Sequence, residues 1–82
     1  MNLIVLTPEQ ELYHGPIKSV KVPAINGQFE ILANHAPIVA ALEKGSIRVI
    51  DDKGAKSVFS IENGYVEVLQ NSVVILVNGV NK

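Results

Sequence analysis

Hydrophobic and polar positions along this chain repeat with a period of two. In residues 46–50, "SIRVI", Ile47 and Val49 flank Arg48. In "SVFSI", Phe59 and Ile61 alternate with Val58 and Ser60, and in "YVEVL", Val66 and Val68 oppose Tyr65, Glu67 and Leu69. In "KSVKV", Val20 and Val22 share a side opposite Lys21. Such alternation marks half-buried strands. Turn residues punctuate it densely: Thr7–Pro8, Gly15–Pro16, Pro23, Asn26–Gly27, Gly45, Asp52–Lys53–Gly54, Asn63–Gly64, Gln70–Asn71 and Asn78–Gly79. Asn and Gly tolerate positive φ, which hairpin turns demand. A turn about every ten residues predicts a sandwich or barrel of short antiparallel strands. The best helical candidate, "TPEQELY", meets Gly15–Pro16 within two turns, so no helix is expected.

Three runs break the alternation: "LIVL" (residues 3–6), "IVAAL" (38–42) and "VVILV" (73–77). Consecutive apolar residues on a strand point to both faces of its sheet. A sandwich buries one face of each sheet, so these strands leave apolar side chains outside. Scattered surface valines are one reading; a sheet face covered by another protein is the sharper one.

Composition adds weight to that reading. The chain has 82 residues, which make one domain over 1–82 with a modest core. Yet 48% of them are hydrophobic, high for a domain in which surface dominates. A net charge of −1 supplies no field for nucleic acid or anionic lipid. Without cysteine there is neither a disulfide framework nor a thiolate zinc site. The N-terminal apolar run has no basic leader and is too short for a signal peptide. No stretch approaches the ~20 apolar residues of a membrane span. We therefore expect neither secretion by that route nor an integral membrane protein.

Candidate chemistry is sparse. His14 and His35 are the only histidines, and neither has a serine–aspartate pair or a second ligand at a recognisable spacing. No glycine loop is followed by the lysine and Ser/Thr of a phosphate cradle, and the few basic residues are not interleaved with aromatics. No catalytic residue, metal site or cofactor is expected. His35, ahead of Ala36–Pro37, reads first as a residue that fixes a loop and second as a polar contact at a subunit boundary. Pro37 biases Ala36 to an extended conformation leading into "IVAAL".

An ordered set of residues then carries a resemblance. "VKVPAINGQFEILANHAPIVAALEKGSIRV" and "IENGYVEVLQNSVVILV" resemble the ε subunit of F-type ATP synthases. That family's N-terminal domain reads V-P-x-x-x-G-x-[FL]-G-[IV]-L-x-x-H-A-P, then P-G-x-[IVL]-x-[IV], then G-G-[FY]-[VL]-E-V. Matching positions here are Val22–Pro23, Gly27, Phe29, Ile31–Leu32, His35–Ala36–Pro37, Gly45 and Gly64–Tyr65–Val66–Glu67–Val68. Glu30, Ala33–Asn34, Lys44 and Asn63 depart from the pattern, all at turns; asparagine still admits the left-handed conformation at position 34.

Pattern and resemblance together give an all-β fold, a flattened antiparallel β-sandwich of about eight to ten short strands. The resemblance implies a non-catalytic rotor part that couples rotation of the membrane c-ring to the γ subunit and the catalytic head. It implies a c-ring-facing loop of Gly27, Gln28, Phe29 and Glu30, and γ-facing residues His35, Pro37, Ile38, Val39 and Ala40. The expected place is the cytoplasmic face of a bacterial inner membrane, peripheral through the complex. Typical family members continue into a helical hairpin associated with ATP binding and inhibition. The sequence here stops with its sandwich, so neither hairpin-based inhibition nor ATP binding is expected. The competing readings are a free-standing β-sandwich adaptor with an unrelated partner, and a small cupin-like enzyme, against which the lack of clustered histidines argues.

Overall fold

The computed structural model describes residues 1–80. Eight strands follow one another: β1 (Asn2–Leu6), β2 (Glu11–Ala24), β3 (Gly27–Leu32), β4 (Ile38–Leu42), β5 (Gly45–Asp51), β6 (Lys56–Ile61), β7 (Asn63–Leu69) and β8 (Ser72–Asn78). No helix occurs among the described residues. The strands pair in the order β1-β8-β7-β4-β2-β5-β6, with β3 on β2 and β1 also on β2. They form a flattened body of 28 × 24 × 19 Å. One layer holds β1, β8, β7 and β4; the other holds β3, β5 and β6. The 14-residue β2 belongs to both. Its first half pairs with β1, from Asn2↔Pro16 to Leu6↔Glu11, and its second half pairs with β5 and β3.

Two expectations change. All ladders were expected to be antiparallel, but β1 runs parallel to β8, with Leu3 opposite Val73 and Val5 opposite Ile75. The β1–β2 hairpin folds the N-terminus back alongside the last strand, and chain direction then leaves only a parallel pairing. Gly15–Pro16 and Pro23 were read as turns, yet β2 runs through both. Pro16 stands where the strand passes from β1 to β5, so its missing N–H costs no ladder bond.

Elsewhere the turn chemistry is as the residue types require. Thr7 Oγ1 accepts the N–H groups of Glu9 (3.2 Å) and Gln10 (3.0 Å), closing β1 onto β2 where a turn of helix was conceivable. Asp51 Oδ1 accepts from Lys53 (2.9 Å) and Ala55 (2.8 Å) in the β5–β6 hairpin. Gln70 (φ 49°) and Asn71 (φ 63°) make the two left-handed positions of the tight β7–β8 turn. Asn63–Gly64 does not close a hairpin: Glu62 alone links β6 to β7, and the chain crosses there between layers. A Cβ on Gly64 would collide with the Leu76 carbonyl.

The core lies between the layers. Leu3, Val5, Val66, Val68, Val73, Ile75 and Val77 face Val20, Val22, Ile31, Ile47, Val49, Phe59 and Ile61, all buried. Val20, Val22, Ile47, Val49, Phe59, Ile61, Val66 and Val68 are the apolar members of the alternating segments, while Leu3, Val5, Val73, Ile75 and Val77 are the inward halves of two unbroken apolar runs; β-branched residues suit that pleated surface. Of the closing residues, Asn81 and Lys82 lie outside the described part.

Candidate functional site

The two outer faces differ sharply. On the β1-β8-β7-β4 layer, register aligns rows of outward residues. One row is Leu6, Leu76, Tyr65 and Ala41; the next is Ile4, Val74, Glu67 and Val39; a third brings Asn2 and Ser72 to Leu69. Val39 is 67% exposed, Leu69 54% and Tyr65 44%. Apart from Glu67, this face carries no charged side chain until its margin on β2, where His14 lies opposite Ile4 with Nδ1 3.6 Å from Glu11. The double-sided runs thus do what their sequence requires: alternate residues fill the core, and the remainder coat one outer face.

The opposite face is mixed: it carries most of the paired charge but also exposes Leu32 (53%) and Val58 (45%) among polar neighbours. There Glu30, Lys21, Arg48 and Val58 form a row across β3, β2, β5 and β6. Arg48 Nη2 lies 3.5 Å from Glu30 Oε2. Arg48 Nε is buried without a partner, so the pair holds the guanidinium by one end only.

The implied site residues fall into place unevenly. Gly27, Gln28, Phe29 and Glu30 were expected as a loop; they are the first four residues of β3. The loop itself is the two-residue turn Ile25–Asn26, with Gly27 at φ 122°. The cause is register: Ala24 pairs with Gly27, Pro23 with Gln28, Val22 with Phe29 and Lys21 with Glu30, which pulls them into the ladder. Ile25 tips this hairpin, 59% exposed, and nothing in the alternation singled it out. Of the γ-facing set, Val39 stands on the apolar outer face. Ile38 and Ala40, its neighbours on β4, turn inward and pack against the core, as alternation dictates. Pro37, with Ile38, Val39, Glu67, Val68 and Leu69, bounds a shallow recess of ≈ 280 Å³ at the edge of the face.

His35 joins the two implied segments. Its ring centroid is 6.1 Å from that of Phe29, tilted by 33°. Its Nδ1 lies 2.7 Å from the Ala36 carbonyl oxygen, and its backbone N–H donates to Leu32 O at 3.2 Å. Beside it, Asn34 takes φ 67°, and its N–H donates to Asn71 Oδ1 at 2.9 Å. That bond ties the β3–β4 loop to the β7–β8 turn. The polar contact of the His35 side chain is thus to the neighbouring residue, and the tie between the two loops is made by Asn34. No group of three or more His, Cys, Asp or Glu able to hold a metal occurs among the described residues.

The family model for the ATP synthase Delta/Epsilon chain, beta-sandwich domain, matches residues 1–82. The chain belongs to this family. Relatives named ATP synthase epsilon chain include one from Leptospira borgpetersenii, 42% identical over 76 residues, covering 93% of this chain and 59% of that protein. Another, from Chlorobaculum tepidum, is 35% identical and covers 98% of this chain and 91% of its own. The chain spans only 53% of the Protochlamydia amoebophila relative, so family members differ widely in length. Among solved structures, a chain of the Euglena gracilis mitochondrial ATP synthase (OSCP/F1/c-ring) superposes with a TM-score of 0.89 over 96% of this chain and 51% of its own. At 22% identity that likeness speaks for the fold. Glu67 and Gly64, which the family pattern also carries, are the glutamate alone on the apolar face and the glycine pressed against Leu76.

Proposed function

We propose that this chain is a coupling subunit in the central stalk of a rotary ATP synthase. Its β1-β8-β7-β4 face docks on the γ subunit, and the end carrying the β2–β3 hairpin rests on the polar loops of the c-ring. The observation that carries the reading is the continuity of apolar rows across one layer, Leu6–Leu76–Tyr65–Ala41 beside Ile4–Val74 and Val39, in a family whose relatives are named ATP synthase epsilon chain. Lasting subunit joints bury ~2,000 Å² or more in total, about half from each partner. That half is roughly a fifth of this chain's 4821 Å² surface, so the apolar face is covered from end to end.

In this reading Val39 supplies the β4 contact to γ, while Ile38 and Ala40 support it from within. His35 and Pro37 stand at the margin. Gly27, Gln28, Phe29 and Glu30 brace the Ile25–Asn26 tip, which meets the c-ring first. The chain performs no catalytic step, holds no cofactor, binds neither ATP nor nucleic acid, and reaches the cytoplasmic face of a bacterial inner membrane through the complex. Torque passes through it because the sandwich is stiff, its two layers joined through the long β2, which pairs with β1 in one and with β5 and β3 in the other. The test is complex formation with the γ subunit of the same synthase, followed by depletion and re-addition in membranes. Loss of ion-driven synthesis on depletion and recovery on re-addition support the coupling role; unchanged synthesis without the chain overturns it.

A further inference from the structure

Glu67 is out of place on its surface. It stands in the middle of the apolar face, between Val74 on β8 and Val39 on β4, with Tyr65 and Leu69 before and after it on the same side of β7. Among the described residues it makes no ion pair, the only two being His14–Glu11 and Arg48–Glu30. The rows that form this face contain no lysine or arginine; Lys21, Arg48 and Lys56 lie on strands of the other layer. Beside the carboxylate opens the recess walled by Pro37, Val39 and Leu69.

Docking this face removes Glu67 from water. A carboxylate covered by apolar surface and left unpaired is strongly unfavourable. An arginine or lysine satisfies both parts of the site, since its aliphatic stem packs on apolar walls while its head reaches the carboxylate. We propose that the partner presents a cationic side chain into this recess, where it pairs with Glu67 and fixes the docking register. Apolar rows alone specify register weakly, because sliding by one strand spacing exchanges one aliphatic contact for another; a single charge pair removes that degeneracy. This inference rests on the docking of the apolar face proposed above.

Binding of the full chain and its variants to the γ subunit of the same synthase tests it, with thermal unfolding showing that each variant folds. Glu67→Gln and Glu67→Leu each weaken binding by about tenfold or more, and Glu67→Lys by about a hundredfold or more, because the partner's cation is left buried and unpaired. An Arg→Glu or Lys→Glu change on γ restores binding of Glu67→Lys. Binding of Glu67→Leu as tight as that of the unsubstituted chain overturns the proposal, since it means that no cation waits opposite. Leu76→Asp separates the two ideas: if it also binds normally, the docking reading has failed; if it loses binding, only the charge pair has.

Discussion

The two outer faces of this sandwich share one folding rule and diverge in everything else. Both layers turn every second residue inward, into one shared core made mostly of valine and isoleucine. Outward, β1, β8, β7 and β4 present Ile4, Leu6, Val74, Leu76, Tyr65, Leu69 and Val39 around the single charge of Glu67, whereas β3, β2, β5 and β6 present Glu30, Lys21, Arg48 and Lys56, with Leu32 and Val58 exposed among them. Folding constrains the inward set; the outward set is free to answer to something else. A charged face keeps water and resists association, while a broad apolar one calls for a partner. On the proposed docking, the difference separates residues that hold the fold from residues that meet the partner, often adjacent on one strand.

β8 shows the separation most sharply. Ile75→Ala should cost about 2–5 kcal/mol, because Ile75 is fully buried and truncation leaves a cavity. Its outward neighbour Val74→Ala should cost under about 1 kcal/mol. Denaturant titration of both variants measures the contrast, and equal losses would erase it. Leu76→Asp should leave unfolding almost unmoved and weaken binding to γ by about a hundredfold, the magnitude of a central contact. Val58→Asp, on the charged face, should change binding less than about twofold.

Smaller effects sharpen the comparison. Glu30→Ala removes a half-exposed ion pair with Arg48 and should cost at most about 1 kcal/mol, without effect on γ binding. At the junction of the layers, Tyr13 pairs with Val5 on β1, and burial, then Asp51 and Asp52, push its phenol above the usual 10.0. A raised phenol favours the neutral form in the folded state. Its contribution is fully present below the unfolded value and is lost as pH rises through the folded one. Tyr13→Phe should therefore blunt the loss of stability above about pH 10, read as unfolding midpoints in an alkaline series.

Much of this was legible in the sequence because a period of two is a direct statement about faces. Phe59 and Ile61 inward, Val58 and Ser60 outward, and the surplus apolar positions of residues 3–6 and 73–77 all follow from it. The left-handed Asn34 was legible from the family pattern, which it departs from with a residue type that still admits that conformation. Pairing was not. The passage of β2 through Gly15–Pro16 and the parallel β1–β8 ladder depend on which distant strand lies alongside, which local pattern does not encode. The site was half legible for the same reason. Motif position pointed to residues 35–40 as a block, but a strand offers only alternate members, so Val39 faces outward and Ile38 and Ala40 do not. Tyr65, Leu69 and Leu76 belong to the same surface through register alone.

The absence of cysteine from the chain permits a direct test of which face is covered. Single cysteines placed at Val39, Val74 and Leu76 on the apolar face, and at Val58, Ser60 and Gln28 on the other layer, can be labelled with maleimide with and without the γ subunit. The γ subunit should slow labelling at the first three positions by about tenfold or more and leave the last three unchanged, as burial in a packed joint requires. Protection of Val58, Ser60 and Gln28, with Val39, Val74 and Leu76 still reactive, would contradict docking through the apolar face.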